Sequence, residues 1–216
     1  MIEASKIYIK INKKLDFTEI MKSKLIKNGV IAMANLWQND KFKLRPVKIE
    51  DLDDFYNVEK DFDTDIQRLC DEVHFPMSMD KVKEHVEKLA NYDFDSHERT
   101  WIIETLDGQV VGNINTFFCD KRNGRFYYGV GIKTEHQRKG FAKSSIKMLL
   151  EYFFNELRYN KANAYIYEFN EVSIKLHEKL GFKCEGRQRQ MIYTNGKFFD
   201  VFCYGLTKDE FNEINI

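Results

Sequence analysis

The stretch Ile132-Lys133-Thr134-Glu135-His136-Gln137-Arg138-Lys139-Gly140-Phe141-Ala142 decides how this chain is read. Before it, residues Arg125 to Lys133 alternate, with Phe126, Tyr128, Val130 and Ile132 pointing one way, the period of a strand. After it, Ala142, Ile146, Leu149, Leu150, Phe153, Phe154 and Leu157 recur at spacings of three and four, which predicts a helix from about Phe141 to Leu157. The stretch is therefore a strand-to-helix turn with a glycine at its hinge. The first N–H groups of such a helix have no partner within it, and the helix dipole adds positive potential there. Arg138 and Lys139 bring two cations, and Gly140 lets an anion approach the backbone closely. A diphosphate fits this arrangement. A plain turn with solvated cations has the same residues, and the spacing alone leaves both readings open. Two other phosphate motifs fail. Gly129-Val130-Gly131 opens like a dinucleotide fingerprint, but Thr134 stands where the third glycine belongs, and Lys139 precedes Gly140 rather than following it.

Working outward, Phe42 to Arg45 reads as a strand stopped by Pro46, and Glu50 to Lys60 as a helix. Asp80 is placed to cap a helix running to about Tyr92. Trp101–Glu104 and Val110–Ile114 flank Asp107-Gly108, a hairpin dipeptide, and Asn123-Gly124 makes a second turn. Ala162 to Phe169 is apolar almost throughout, the look of a central strand covered on both faces. Asn170 can cap a helix that ends at Gly181. Two closing strands, Phe182–Tyr193 and Lys197–Leu206, meet at Asn195-Gly196. These elements predict an α/β (α+β) domain with a mixed, mostly antiparallel sheet of about seven strands flanked by helices. Residues 41–216 form that domain. Residues 1–40 read as an N-terminal extension, with a strand at Lys6–Ile11 and a helix over Phe17–Lys27 ended by Gly29. Their role stays open among an appendage, an oligomer contact and a mobile arm.

The 216 residues suffice for one sizeable core, and 43% hydrophobic with 31% charged residues is the profile of a globular protein. Thirty-four cations balance thirty-four anions, which argues against a bulk nucleic-acid binder. No apolar run reaches the ~20 residues of a membrane span, and Met1 to Lys6 lacks a leader pattern. Four cysteines stand far apart without a CxxC pair, so neither a disulfide framework nor a covalent acyl-cysteine is expected, and a cytoplasmic location follows. His74, His85, His97 and His136 show no metal spacing, and no metal site is expected. Phe117, Phe118, Tyr127, Tyr128, Phe198 and Phe199 read as core for the most part, with the lining of an acceptor pocket left open for some of them.

Gln137-Arg138-Lys139-Gly140-Phe141-Ala142 resembles the Gln/Arg-x-x-Gly-x-Gly/Ala signature of the GNAT N-acetyltransferase superfamily. Asn170 to Phe182 looks like the second motif of that family, and Leu44-Arg45-Pro46, Cys184-Glu185-Gly186, Arg189, Asn195-Gly196 and Tyr204 continue the likeness over about Phe42 to Phe211. The branch is the one that includes ribosomal-protein alanine and spermidine acetyltransferases. The resemblance implies the GNAT fold and an acetyl-coenzyme A-dependent transfer to a primary amine, a small molecule or a protein N-terminus, by direct attack in a ternary complex. A non-catalytic acyl-coenzyme A sensor is the alternative. No nucleic acid or membrane partner is expected, and a homodimer is possible. By resemblance, Val130, Gly131 and Ile132 offer backbone groups to the pantetheine arm. Gln137, Arg138, Lys139, Gly140, Phe141, Ala142 and Lys143 hold the diphosphate, and Asn170 and Ser173 lie along the cofactor. His177 stands where many members carry a tyrosine that protonates the leaving thiolate. It reads either as that acid or as a packing, hydrogen-bonding histidine, with Tyr204 or Tyr167 as substitute acids, and Glu104 or Glu135 reads either as the base or as a surface charge.

Overall fold

Hairpin dipeptides at Asp107-Gly108 and Asn195-Gly196 fold alternating sequence back on itself, and a seven-stranded sheet results. The computed structural model describes residues 26–27, 30–31, 35–55, 68–69, 75, 77–93 and 95–214. The strands are β1 (Phe42–Pro46), β2 (Thr100–Thr105), β3 (Val110–Asp120), β4 (Arg125–Ile132), β5 (Lys161–Tyr167), β6 (Lys183–Thr194) and β7 (Lys197–Thr207). They lie in the order β1-β2-β3-β4-β5-β7-β6. Every neighbouring pair is antiparallel except β4 and β5, which run parallel. Helices α1 (Met79–Ala90), α2 (Phe141–Glu151), α3 (Glu171–Lys179) and α4 (Lys208–Glu213) complete the described architecture.

Adjacent residues on β2 show how the layers stack. Ile103 joins the main core with Ile114, Phe126, Tyr128 and the α2 residues Ile146, Leu149 and Leu150. Ile102 points the other way and packs with Val47 and with Val82 and Val86 of α1. Successive strand residues face opposite sides, so α2 and α1 cover opposite faces. Leu180, Phe182 and Tyr204 belong to the same core as α2, which puts α3 on that face too. Beyond Glu151 the helix widens into a π turn over Tyr152–Glu156, and neighbouring Phe153 and Phe154 are both buried there. Among the described residues no helix is long and apolar enough to cross a membrane.

Several sequence expectations need correction. Ser78, not Asp80, caps α1, its side chain accepting from the Lys81 N–H. β5 is covered on one face only, because Tyr165 is 45% exposed. Phe118 and Phe198, expected in the core, are 69% and 61% exposed. Phe118 sits at a bulge of β3 with φ 48°, which turns its ring outward. The chain divides into units 1–36 and 37–216. Trp37 belongs to the second, where it stacks on Trp101 at 5.7 Å. In the first unit Ile26–Lys27 pairs antiparallel with Val30–Ile31, so these two residues are extended where a helix was expected, and the remainder of the helix expected over Phe17–Lys27 lies outside the described residues. The strand expected at Lys6–Ile11 and an acidic stretch at Asp61, Asp63, Asp65, Asp71 and Glu72 lie outside the described residues.

Candidate active site

Parallel pairing between β4 and β5 covers only Arg125 with Lys161, Phe126 with Ala162 and Tyr127 with Asn163. Past that point, Tyr128 to Ile132 pair with β3 alone, and Ala164 to Tyr167 with β7 alone. Two neighbouring strands thus part, opening a wedge whose walls carry main-chain groups without a strand partner across the gap. Val130, Gly131 and Ile132 lie on the parted segment.

At the mouth of the wedge the chain turns into α2. The Gln137 side-chain amide donates to the Ile132 carbonyl at 3.2 Å, pinning the turn to the end of β4. Arg138 has φ 62° and Gly140 has φ 88°, so left-handed residues bracket Lys139. Alternation of this kind makes main-chain N–H groups converge into an anion-binding nest. Gly140 opens α2 with no side-chain cap, and an added Cβ there would meet no atom within 4 Å. The orphan donors of the first turn therefore remain open. Lys147, one turn beyond Lys143, is held below its ordinary value first by partial burial and then by Lys143. A left-handed arginine is costly in itself, and such strain concentrates at functional sites.

Helix α3 forms the other side of the approach. The Asn170 side chain caps it, accepting from the Ser173 N–H at 3.1 Å. His177, two turns on, is 3% exposed, and its Nδ1 lies 2.8 Å from the Ser173 carbonyl oxygen. A carbonyl only accepts, so the ring carries its proton on Nδ1 and leaves Nε2 as a bare acceptor. Burial holds this histidine below its ordinary value, more than the Ser173 bond offsets. A neutral ring with its only N–H turned to the backbone has no proton for a leaving group, which tells against the acid expected at this position.

Tyr204 also points elsewhere. Its hydroxyl donates to Glu178 of α3 at 3.2 Å, and burial, then Glu178, keeps the phenol above its usual value. Glu104 is the clearest correction. Burial pushes its carboxyl up, but hydrogen bonds from Lys43 and then Arg45 outweigh this and leave it below the usual range. One carboxylate oxygen meets Lys43 at 2.7 Å, the other meets Arg45, and Arg45 also clamps Asp51 at 2.7 and 2.8 Å. With both oxygens held by cations, Glu104 is a member of a structural ion-pair cluster rather than a poised base. Glu135 lies on the exposed turn before α2, its carboxylate 3.9 Å from His136. Tyr128 was legible only as an inward-facing strand residue. It is 4% exposed, and its hydroxyl has no hydrogen-bond partner among the described residues.

A sheet split between its parallel strands, with an open helix start at the mouth of the split, is a framework suited to an elongated ligand that ends in a phosphate. Residues 41–183 match the family described as the acetyltransferase (GNAT) domain, and the chain belongs to that family as an N-acetyltransferase. It is 41% identical over 179 residues to the uncharacterized, SPbeta prophage-derived N-acetyltransferase YokL of Bacillus subtilis (strain 168), covering 83% of this chain and 96% of that protein. It is 28% identical over 159 residues to the spermidine N(1)-acetyltransferase of Escherichia coli (strain K12), 72% of this chain and 80% of the relative. Its fold superposes on spermidine N-acetyltransferase from Vibrio cholerae, solved in complex with CoA and spermine, with a TM-score of 0.71 and 24% identity over 81% of this chain and 99% of the other.

Proposed function

We propose that this N-acetyltransferase takes its acetyl group from acetyl-coenzyme A and passes it to a small primary amine. The observation that carries the reading is the continuity of one unit: a parted strand, a left-handed anion nest and an uncapped helix follow each other from Val130 to Lys143. When bound, acetyl-coenzyme A supplies the activated thioester. Main-chain N–H groups from Arg138 to Lys143 hold its diphosphate, with Gln137 bracing the turn. Backbone groups of Val130, Gly131 and Ile132 hold the pantetheine arm from one wall, and Asn170 and Ser173 from the other.

The amine meets the thioester in a ternary complex, so binding geometry contributes much of the rate. Its approach is from the face opposite α2. There the Asn115 and Asn113 side-chain oxygens overlie Gly129 and Gly131, within 2.7 and 3.6 Å of where a Cβ would stand. These oxygens accept N–H groups, which suits an ammonium or amine. No carboxylate base is assigned, because Glu104 is already paired, and the amine proton leaves through water. Likeness to spermidine acetyltransferases supports a small amine as acceptor. The Vibrio cholerae enzyme is dodecameric, and a second copy of this chain is the proposed partner, to be measured by light scattering.

A thiol-release assay with acetyl-coenzyme A against polyamines, amino acids, aminoglycosides and peptides tests the reading. Turnover on a small amine is expected. Turnover confined to peptides moves the acceptor to a protein N-terminus. Failure to bind coenzyme A by calorimetry overturns the donor assignment.

A further inference from the structure

Two buried polar atoms stand side by side on the face of the sheet that carries α2 and α3, and the roles above use neither. Among the described residues, the Tyr128 hydroxyl and His177 Nε2 have no hydrogen-bond partner. Their rings stack at 5.8 Å with 27° between planes, and Phe182 packs against both, at 5.9 and 5.1 Å. Tyr128 is the first residue of β4 beyond the last paired position, Tyr127 with Asn163, so it marks the apex of the wedge. Asn170 caps α3 at the other end, and seven residues of helix carry the chain about 10 Å inward to His177. Mouth, arm and apex are thus lined in order.

A buried hydroxyl without a partner destabilises a fold, and phenylalanine would fill the same space without that cost. The geometry points to Tyr128 as the proton donor to the departing sulfur, with His177 as the residue that positions it. This rests on the transfer reading above. The amine lone pair forms the new C–N bond, the C–S bond breaks with its electron pair passing to sulfur, and Tyr128 gives that sulfur its hydroxyl proton. The proton shed by the acylated nitrogen returns to the phenolate through water, so no net proton is gained or lost. His177 cannot substitute, since its proton faces Ser173 and Nε2 can only accept. Burial keeps the Tyr128 phenol well above its usual value. The same apolar wall raises the proton affinity of a thiolate formed beside it, which keeps donor and acceptor matched.

Tyr128→Phe tests this with three readouts. The thiol of bound coenzyme A, followed by thiolate absorbance against pH, is expected to titrate about one unit higher in the variant, because a donor to the thiolate has gone. With the acceptor returned by the panel, kcat falls about 10- to 100-fold while the KM for acetyl-coenzyme A changes less than about twofold. The ligand-free variant melts at the same temperature or about 2–4 °C higher, as loss of a buried unpaired hydroxyl requires. A thiol that titrates identically in both proteins overturns the inference, and so does a variant that melts earlier and no longer binds coenzyme A. If the thiol shift is present but no amine is acetylated, the contact stands and the transfer reading falls.

Discussion

Gly140 is the residue on which the anion nest turns. At φ 88° an alanine carries a penalty of about 1–2 kcal/mol, whatever space surrounds it. Among the described residues no atom lies within 4 Å of the added Cβ, so the cost is one of backbone conformation and falls on the turn itself. Gly140→Ala should therefore lower the melting temperature by a few degrees. It should raise the KM for acetyl-coenzyme A about tenfold or more, with kcat at saturation little changed, since in the proposed binding mode the thioester sits at the far end of the wedge. Arg138→Gly makes the converse case. It relieves a left-handed non-glycine residue at φ 62°, so the apo protein gains up to about 1 kcal/mol while coenzyme A binding weakens through the lost charge. Steady-state kinetics beside thermal melts separates the two effects.

At the scale of the element, α3 depends on its first residue. Asn170→Ala removes the bond to the Ser173 N–H and should cost about 1 kcal/mol. Asn170→Asp keeps an equally good cap, so its melting temperature holds. If the Asn170 amide also serves the pantetheine arm, the aspartate variant binds coenzyme A more weakly at unchanged stability, which calorimetry detects. Elements of this kind were legible because their signals are local: the alternation in β4, the stripe of α2, the hinge at Gly140 and the cap at Asn170. What escaped the sequence depends on distant partners. Glu104 read as a free strand carboxylate, yet Lys43 and Arg45, the latter 59 positions away, decide its state. The apolar run of β5 suited burial on both faces, and only its place between β4 and β7 leaves Tyr165 in the open. Ser78 and Asp80 are both good caps, and the choice falls on the one that meets the Lys81 N–H. The wedge itself is the place where pairing between two strands stops, which no single strand encodes.

For the whole molecule, charge balance shapes the response to pH. With thirty-four cations and thirty-four anions, neutral solution imposes no net repulsion, so acid lability must come from specific groups. His177 is lowered by burial, and His97 by burial, then Lys121 and Arg99. Both stay neutral in the fold but protonate when unfolded below about pH 6.5, so the unfolded chain binds more protons and stability falls with pH from there. A second limb belongs to carboxylates. Asp51 ends below its usual value because bonds from Arg45 and Lys48 outweigh burial, and Glu104 does so through Lys43 and Arg45. Glu210 is drawn to about 2 by Lys183, then Thr207. Such groups add stability above an unfolded value near 4 and lose it as pH falls towards their folded values. Asp51 and Glu104 dominate this limb, being 4% and 9% exposed, whereas the Lys183 partner of Glu210 is 71% exposed and screened. Arg45→Met should therefore cost about 3 kcal/mol or more at pH 7, by taking from buried Asp51 its side-chain ion-pair partner and leaving Glu104 to Lys43. It should also flatten the decline below pH 4, since both carboxyls then accept protons readily in the fold. Urea unfolding at a series of pH values reads the two limbs separately. His177→Phe should remove part of the first limb and leave the second intact, and an unchanged first limb would show that His177 is already charged in the native state.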